Sequence, residues 1–172
     1  MNDRGIIMNV RKATASDASQ IVAVMKDAEA SGFMLFDPGE RKLTAEQFKK
    51  YIEATNNKHN AAVFVATEEE NILGYMIVQG EGAKRIAHRA YIVIGVQRAS
   101  RGKGVGTALF TYAEQWAKEV GIQRLELTVI KHNEAAYHLY EKMGFEVEGV
   151  KQKSLKINGE YVDEYYMAKL IL

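Results

Sequence analysis

Residues 94–106 read IGVQRASRGKGVG, and this stretch decides how the 172-residue sequence is interpreted. An apolar run ends at Val96, and a long segment with helical periodicity begins after Gly106. The glycine-rich stretch 101–106 is therefore predicted to join a strand to the N-terminus of a helix. The first N–H groups of a helix have no partner inside it and carry partial positive charge. Because glycines let phosphate oxygens approach such amides, and Arg101 and Lys103 add charge, we expect a diphosphate to bind here.

A glycine-rich turn can also serve only to reverse the chain, and for this loop taken alone the two interpretations have equal weight. Two nucleotide-binding motifs are excluded by spacing. The pattern G-x-x-x-x-G-K-[ST] is absent from the loop. The pattern G-x-G-x-x-G requires a third glycine where the sequence has Thr107, or Leu109 in the second register. An ATP or NAD binder is therefore disfavoured.

The hydrophobic periodicity on both sides of this loop predicts the element order β α α β β β α β α β β. Ser16-Asp17 is predicted to cap the first helix, and Thr44 with Gln47 to form a capping box for the second. The Asn158-Gly159 dipeptide suits a type I′ turn between the last two strands. The predicted strands are residues 8–12, 62–67, 72–79, 90–96, 124–130, 145–155 and 161–170.

The third predicted helix ends at Gly121, and the fourth begins after Asn133 and ends at Gly144. A strand, long helix and strand in succession need a parallel crossover. We therefore expect one domain over residues 1–172, with a mixed, mostly antiparallel sheet of about seven strands and helices on both faces. The buried stripe predicted for the third helix is Leu109, Tyr112, Ala113, Trp116 and Val120.

Composition limits the partners of this protein. The formal net charge of +1 gives no general attraction to nucleic acid or anionic lipid. With no cysteine in the sequence, a disulfide framework, a thiolate metal site and a self-acylating thiol are excluded. No apolar run approaches the roughly 18 residues of a membrane helix, and nothing near Met1 resembles a secretion signal. We expect a cytoplasmic protein without nucleic-acid or membrane partners.

Two linked motifs resemble the GNAT superfamily of N-acetyltransferases. Arg101, Gly104 and Gly106 match its signature R/Q-x-x-G-x-G/A, which follows an apolar strand. Residues 133–145, NEAAYHLYEKMGF, match the family pattern N-x-x-A-x-x-L-Y-x-x-x-G-F at the expected distance downstream. The resemblance spans residues 10–170, is most specific over 94–145, and agrees with the element order.

The resemblance implies acetyl-CoA as cosubstrate. Backbone amides of residues 102–107 would hold the CoA diphosphate, while Ile94 and Val96 would align the pantetheine arm along the strand edge. A backbone N–H of residues 94–96 would stabilise the developing oxyanion. Asn133 would bind the pantetheine, although helix capping alone also explains it. The implied cofactor-binding residues are Ile94, Gly95, Val96, Arg101, Gly102, Lys103, Gly104, Val105, Gly106, Thr107 and Asn133.

Tyr140 is the predicted general acid, because the family protonates the departing CoA thiolate with such a phenol. The alternative is a plain core tyrosine, but phenylalanine would fill a core without a hydroxyl to satisfy. The general base is open. Many relatives place a glutamate five residues before the asparagine, where this sequence has Thr128. Glu126 shares that side of the strand and is the tentative base, with Glu81 and His88 as weaker alternatives.

Several further segments carry weaker predictions. Residues 33–36, FMLF, could line or cover the acceptor site, because acceptor specificity in the family lies partly between the first helices. Lys151, Lys153 and Lys156 are interpreted as protection of an edge strand, with binding of the CoA 3′-phosphate or of a second subunit as the alternatives. Edge strands also make a homodimer conceivable. His132 and His138 lack metal-ligand spacing, so no metal is expected.

The sequence thus predicts an acetyl-CoA-dependent N-acetyltransferase that acts by direct attack of a primary amine in a ternary complex. The acceptor is open between a small-molecule amine and a protein or peptide amine. Residues 158–164 resemble a tail found in relatives that act on ribosomal-protein termini, polyamines or xenobiotic amines. A non-catalytic, acetyl-CoA-binding regulatory module is the alternative, because a threonine replaces the usual glutamate at position 128.

Overall fold

The computed structural model describes residues 8–171, so the single domain predicted for residues 1–172 extends beyond the described residues at both ends. The predicted order of strands and helices is confirmed. The elements are β1 (Asn9–Lys12), α1 (Ala18–Glu29), α2 (Ala45–Asn56), β2 (Ala61–Glu68), β3 (Asn71–Gly80), β4 (Arg89–Val96), α3 (Val105–Val120), β5 (Arg124–Ile130), α4 (Glu134–Lys142), β6 (Glu146–Ile157) and β7 (Glu160–Leu170).

The strands form one seven-stranded sheet in the order β1-β2-β3-β4-β5-β7-β6. All neighbours are antiparallel except β4 and β5, which confirms the predicted parallel crossover. The parallel pair is short, since its last register partners are Tyr91 and Glu126. Beyond them β4 continues to Val96 along β3, whereas β5 continues to Ile130 along β7. The sheet therefore splits in its middle, between the C-terminal parts of β4 and β5.

Apolar side chains cover the sheet on both faces, as predicted. One buried layer includes Phe64, Leu109 and Trp116 and lies between the sheet and α3 with α4. The second includes Ile21, Ile52 and other residues of α1 and α2, packed against β2 and β3. Each fully buried side chain of this size contributes about 1.5–3 kcal/mol. These two layers hold the strands on either side of the split in place.

One predicted core position in α3 is wrong. Tyr112 is 39% exposed, whereas Phe110, which the periodicity left out, is buried. The two residues lie on opposite flanks of the apolar face of α3. Rings from the α4 region, Tyr140 and Phe145, cover the flank of Phe110. Tyr112 contacts the Phe64 ring in an edge-on arrangement. The burial of each flank therefore depends on residues that are distant in the sequence.

The predicted capping box of α2 is confirmed, and Asp17 stands at the predicted N-cap position of α1 but does not cap that helix through its side chain. Thr44 Oγ1 accepts from the Gln47 amide at 3.1 Å, and Gln47 Oε1 accepts from the Thr44 amide at 2.9 Å. Asp17 stands before α1 without a side-chain bond into the helix, because a short 3-10 turn, Ala15–Asp17, precedes the helix. Its carboxylate instead accepts from the Thr14 amide at 2.7 Å and from Arg11.

Asp17→Asn is expected to lower the free energy of unfolding at neutral pH, because it removes the charge that pairs with Arg11. The loss should be only about 1 kcal/mol, since Arg11 is half-exposed and stays partly hydrated. The hydrogen bond from Arg11, followed by the Thr14 amide, lowers the pKa of Asp17. A lowered pKa stabilises the fold above the unfolded value of about 3.9, and this contribution is lost as pH falls through the folded pKa. Urea titrations should therefore show a difference in the free energy of unfolding between wild type and Asp17→Asn at pH 7, and this difference should shrink below about pH 4. Asp37→Asn, at an exposed carboxylate, is the control.

The C-terminal hairpin matches its sequence signature. Asn158 and Gly159 both have positive φ, 51° and 82°, as a type I′ turn requires. Strand β6 lies at the edge of the sheet, as the lysine-rich sequence predicted. The ammonium groups of Lys151, Lys153 and Lys156 lie 5.5–5.8 Å from tyrosine ring centroids of β7. Within residues 8–171, no helix is both long and apolar enough to cross a membrane.

Candidate active site

The split exposes the main-chain edges of β4 and β5 to each other. Side chains of β4 alternate, so Ile92 and Ile94 pack toward α3 while Tyr91 and Val93 are exposed on the opposite face. Ile94, Gly95 and Val96, the predicted pantetheine-binding segment, all lie beyond the last paired position. An opening bounded by backbone edges suits a long, thin ligand that can hydrogen-bond to main-chain groups.

Gly95 is required at the split because a tyrosine occupies the space of its missing side chain. A Cβ atom at Gly95 would lie 2.4 Å from Cε1 and 2.7 Å from the hydroxyl of Tyr75 on β3. Burial raises the pKa of Tyr75 to about 12. Beside it, the buried Glu29 carboxylate accepts from Arg41 at 2.5 Å. This support has no signature in the sequence, since no local pattern links these residues.

The predicted anion-binding loop is open on the side of its first two glycines. Gly102 and Gly104 have φ angles of 73° and 85°, and no atom lies within 4 Å of a Cβ placed on either. Gly104 is the N-cap of α3, so the following amides have no partner in the helix. Gly106 differs, because its Cβ would lie 2.6 Å from Leu139 Cδ2. Two glycines thus leave room for a ligand, and the third lets α3 approach α4.

An aspartate of α1 holds the turn that leads into this loop. Asp27 Oδ2 accepts from the Arg98 amide at 2.6 Å, and Oδ1 accepts twice from its guanidinium at 3.3 Å. The Arg98 amide is the main cause of the lowered pKa of Asp27. One residue before Arg101, buried Ser100 is bonded through its hydroxyl to Gln97 at 2.6 Å. The loop is therefore ordered by the fold itself; Asp27 and Gln97 were not predicted.

Tyr140 lies at the buried end of α4, with 8% of its surface exposed. Its ring packs edge-on against Phe110, with centroids 5.6 Å apart. Burial is the first cause of its raised pKa, followed by the influence of Tyr91 and Tyr75. The phenol thus stays protonated at physiological pH, as a general acid requires.

Asn133 caps α4, where its Oδ1 accepts from the Ala136 amide at 3.3 Å.

Glu126 and Thr128 lie on one side of β5 and are half-buried, as strand alternation predicted. The Glu126 Oε1 atom is contacted by Arg124 Nε at 3.3 Å and Arg89 Nε at 3.5 Å. The weaker base candidates, residues 81 and 88, are exposed in the connection before β4, at the end opposite the split.

The loop between α1 and α2 reaches across to the other side of the split. The Phe33 ring lies 5.6 Å from the ring of His132, which directly precedes Asn133. Arg41, from the same loop, lies over the Phe36 ring at 4.8 Å. Leu35, in contrast, is 73% exposed. The predicted acceptor-covering segment therefore borders the β5–α4 connection, and its role stays a prediction.

No group of three or more His, Cys, Asp or Glu residues is arranged to hold a metal ion between residues 8 and 171. The site instead combines a split sheet, an ordered glycine loop at a helix N-terminus and a buried phenol. These are features of an α/β protein, and their geometry fits a long ligand that contains a diphosphate.

The profile of the Acetyltransferase (GNAT) family matches residues 17–145. The chain belongs to this family. Its fold is shared with a GNAT-family acetyltransferase from Streptococcus pneumoniae, at 30% identity, with a TM-score of 0.91 and coverage of 96% of this chain and 100% of that one. YncA from Salmonella typhimurium, whose structure contains its cofactor acetyl-CoA, has the same fold at 20% identity, with a TM-score of 0.86 and coverage of 96% of this chain and 94% of that one.

Among curated proteins, the chain is similar to the Escherichia coli L-amino acid N-acetyltransferase AaaT, with 34% identity over 110 residues. The alignment covers 62% of this chain and 66% of AaaT. The Bacillus subtilis N-acetyltransferase YdgE is 37% identical over 59 residues, which are 34% of this chain and 38% of that protein. The chain thus spans less than two thirds of the length of these two relatives.

Proposed function

We propose that this chain transfers the acetyl group of acetyl-CoA to a primary amine by direct attack in a ternary complex. The observation that carries the proposal is the open loop at Gly102 and Gly104, which lies beside the split between β4 and β5. The fold shared with YncA, which binds acetyl-CoA, also supports it. Acetyl-CoA supplies an activated acyl group as a thioester.

The chain supplies binding, orientation and a proton. In this proposal, N–H groups at the start of α3 bind the diphosphate, with Arg101 and Lys103 adding positive charge. The β4 edge over residues 94–96 aligns the pantetheine arm, and a backbone N–H there stabilises the oxyanion. Tyr140 donates its phenolic proton to the leaving sulfur. Its raised pKa supports this role, because the proton is present at the working pH.

Glu126 is the proposed general base, acting directly or through water. Its position on the side of β5 that also carries Thr128 supports this role. Its contacts with Arg124 and Arg89 are both made by Oε1, which leaves Oε2 outside these two ion pairs. If Glu126 acts as the base, Glu126→Gln lowers kcat at constant acetyl-CoA affinity; an unchanged kcat across pH would remove it from the mechanism.

The proposed activity is tested by incubating the purified protein with acetyl-CoA and a panel of primary amines, and measuring the release of free CoA thiol. We expect at least one amine to raise thiol release well above hydrolysis. Tight binding of acetyl-CoA by calorimetry, without release for any amine, would favour the regulatory module that Thr128 suggests. Binding of ATP or NAD in place of acetyl-CoA would contradict both functions.

The cytoplasmic location stays a prediction, and the homodimer that the edge strands make conceivable stays a hypothesis. Dimerisation through the exposed edge strand β6 would bury Val147 and Val150, which are 42% and 44% exposed. Size-exclusion chromatography with light scattering measures the association state directly.

A further inference from the structure

Two hydroxyl groups meet across the base of the split. The Tyr91 hydroxyl lies 2.9 Å from Thr128 Oγ1, and either can be the donor. Tyr91 is the last residue of β4 that pairs with β5, and Thr128 stands two positions beyond the last paired residue of β5. The hydrogen bond thus bridges the two strands where they separate. No motif predicted this pair, whose members are 37 positions apart in sequence.

The pair lies on the face of the sheet opposite Tyr140. Ala90 and Ile92, the neighbours of Tyr91, are buried in the layer beneath α3 and α4 that also contains Tyr140. Strand alternation therefore points the Tyr91 side chain to the other face, where it is 41% exposed. A thioester held in the split would have the proposed acid on one face and this hydroxyl pair on the other.

A cavity of about 370 Å³ adjoins Tyr91 on this open face, and Thr128, which is bonded to Tyr91, lies outside its lining. It is lined by Tyr91, Arg124, Glu126, Glu148 and Tyr166 among others, and Tyr166 is 47% exposed. Small-molecule sites in proteins begin at about 300 Å³, so the volume suits a small ligand. Arg124 donates to both Glu148 oxygens and to Glu126 Oε1, so its charge is already compensated.

We propose that the Tyr91–Thr128 hydroxyl pair binds the acceptor amine, and that the acceptor is a small-molecule primary amine whose body lies in this cavity. The inference rests on the proposed acetyl transfer. It adds two positioning groups and a substrate class that the family relationship leaves open.

The hydrogen-bonding capacity of the pair fits this role. A hydroxyl has one donor and two acceptor sites, so the bond between Tyr91 and Thr128 consumes one hydrogen and leaves acceptor sites on both oxygens. A primary amine can donate an N–H to these sites and keep its lone pair for the thioester carbonyl. Because the pair is uncharged, it compensates a full ammonium charge less well than a carboxylate would. The neutral amine, which is the form that attacks, can bind to the pair once the ammonium proton has passed to Glu126, the proposed base in the same cavity.

The alternative is that the bond only fixes the width of the split. The two roles differ in what they change. A structural bond between β4 and β5 would affect acetyl-CoA binding, because the cofactor occupies the split itself. An amine-binding pair affects the kinetics of the amine and leaves the affinity for acetyl-CoA unchanged. The amine KM and the acetyl-CoA Kd therefore separate the two explanations.

The test compares Tyr91→Phe, Thr128→Val and Thr128→Ser with the wild type, using the best amine of the panel. We expect Tyr91→Phe and Thr128→Val each to raise the amine KM about tenfold, as the loss of one hydrogen bond predicts, with acetyl-CoA Kd and melting temperature near wild type. Thr128→Ser keeps the hydroxyl and should retain a KM near wild type. Tyr161→Phe, at a 59% exposed tyrosine outside the cavity, is the matched control.

The outcomes separate this inference from the proposed function. Suppose that the wild type acetylates small amines. If both hydroxyl deletions then keep the wild-type amine KM, or weaken acetyl-CoA binding as much as they raise the amine KM, the pair is structural and the inference is overturned. Acetylation of peptide N-termini without acetylation of any small amine would overturn the proposed substrate class. The proposed acetyl transfer itself would stand. A wild type that binds acetyl-CoA and acetylates no amine would overturn the proposed function, and this inference with it.

Discussion

Tyr140→Phe is expected to lower kcat about 10²- to 10³-fold, with the Kd for acetyl-CoA within about twofold of wild type. The phenol is positioned by packing against Phe110 and Phe145, and phenylalanine preserves both ring contacts. The substitution therefore removes only the proton donor. Loss of a general acid acts on the chemical step, whereas the residues proposed to bind the cofactor belong to β4 and to the start of α3. Steady-state kinetics with the best amine, together with calorimetry of acetyl-CoA binding, measures the two effects.

The pH dependence of this variant gives a second check. Because burial raises the pKa of Tyr140 above its usual value near 10, the wild type should keep its acid protonated throughout the physiological range. The kcat ratio of wild type to variant should thus stay constant between about pH 6 and 9. Tyr137→Phe, at a half-buried tyrosine of the same helix whose hydroxyl donates to Glu141 at 3.2 Å, is the control and should keep near wild-type kcat. Equal activity of Tyr140→Phe and wild type at every pH would show that Tyr140 is a core residue only.

Gly104→Ala is expected to weaken acetyl-CoA binding about tenfold to a hundredfold. Gly104 has φ 85°, so any side chain there costs about 1–2 kcal/mol of backbone strain. The added methyl group meets no protein atom within 4 Å. It would instead project into the open space where the diphosphate is proposed to bind. The affinity should therefore fall through contact with the ligand, whereas the backbone strain lowers the stability of the free and the bound protein alike.

Gly121→Ala is the matched control for this experiment. Gly121 ends the same helix with φ 84° and also has no atom within 4 Å of a Cβ. The melting temperatures of both variants should fall by similar amounts, because the backbone strain is the same. Only Gly104→Ala should lose affinity for acetyl-CoA in calorimetry. Equal affinities for both variants would place the diphosphate elsewhere and remove the main support for the proposed function.

The fold was predictable because its signals are local. The glycine loop after a strand, the capping box at Thr44 and the Asn158-Gly159 turn each specify their conformation within a few residues, and all three adopt it. Tyr112 was mispredicted because a distant segment, α4, covers the other flank of α3. Asp17 takes the predicted N-cap position, but its carboxylate is engaged by Arg11, six residues earlier, instead of by the helix.

The candidate site follows the same rule. Residues that belong to a motif, such as Gly104, Asn133 and Tyr140, are predicted through the resemblance to the GNAT family, and their roles stay predictions. Tyr75 and the Tyr91–Thr128 pair belong to no motif, since their roles depend on which strands become neighbours and on where two of them separate. Neither the short length of the parallel ladder nor the bulges in β6 has a signature in the sequence.

A sheet that opens in its middle has two unpaired edges inside the molecule, one on each side of the gap between β4 and β5. Unpaired edges normally attract other extended chains. A ligand that carries amide groups along a flexible chain can occupy this gap as a substitute strand, whereas a flat ring system cannot follow the two backbones. The backbone of the gap therefore determines the shape of cosubstrate that fits there. Side chains along the rim can vary without altering this shape, and such variation can change the acceptor.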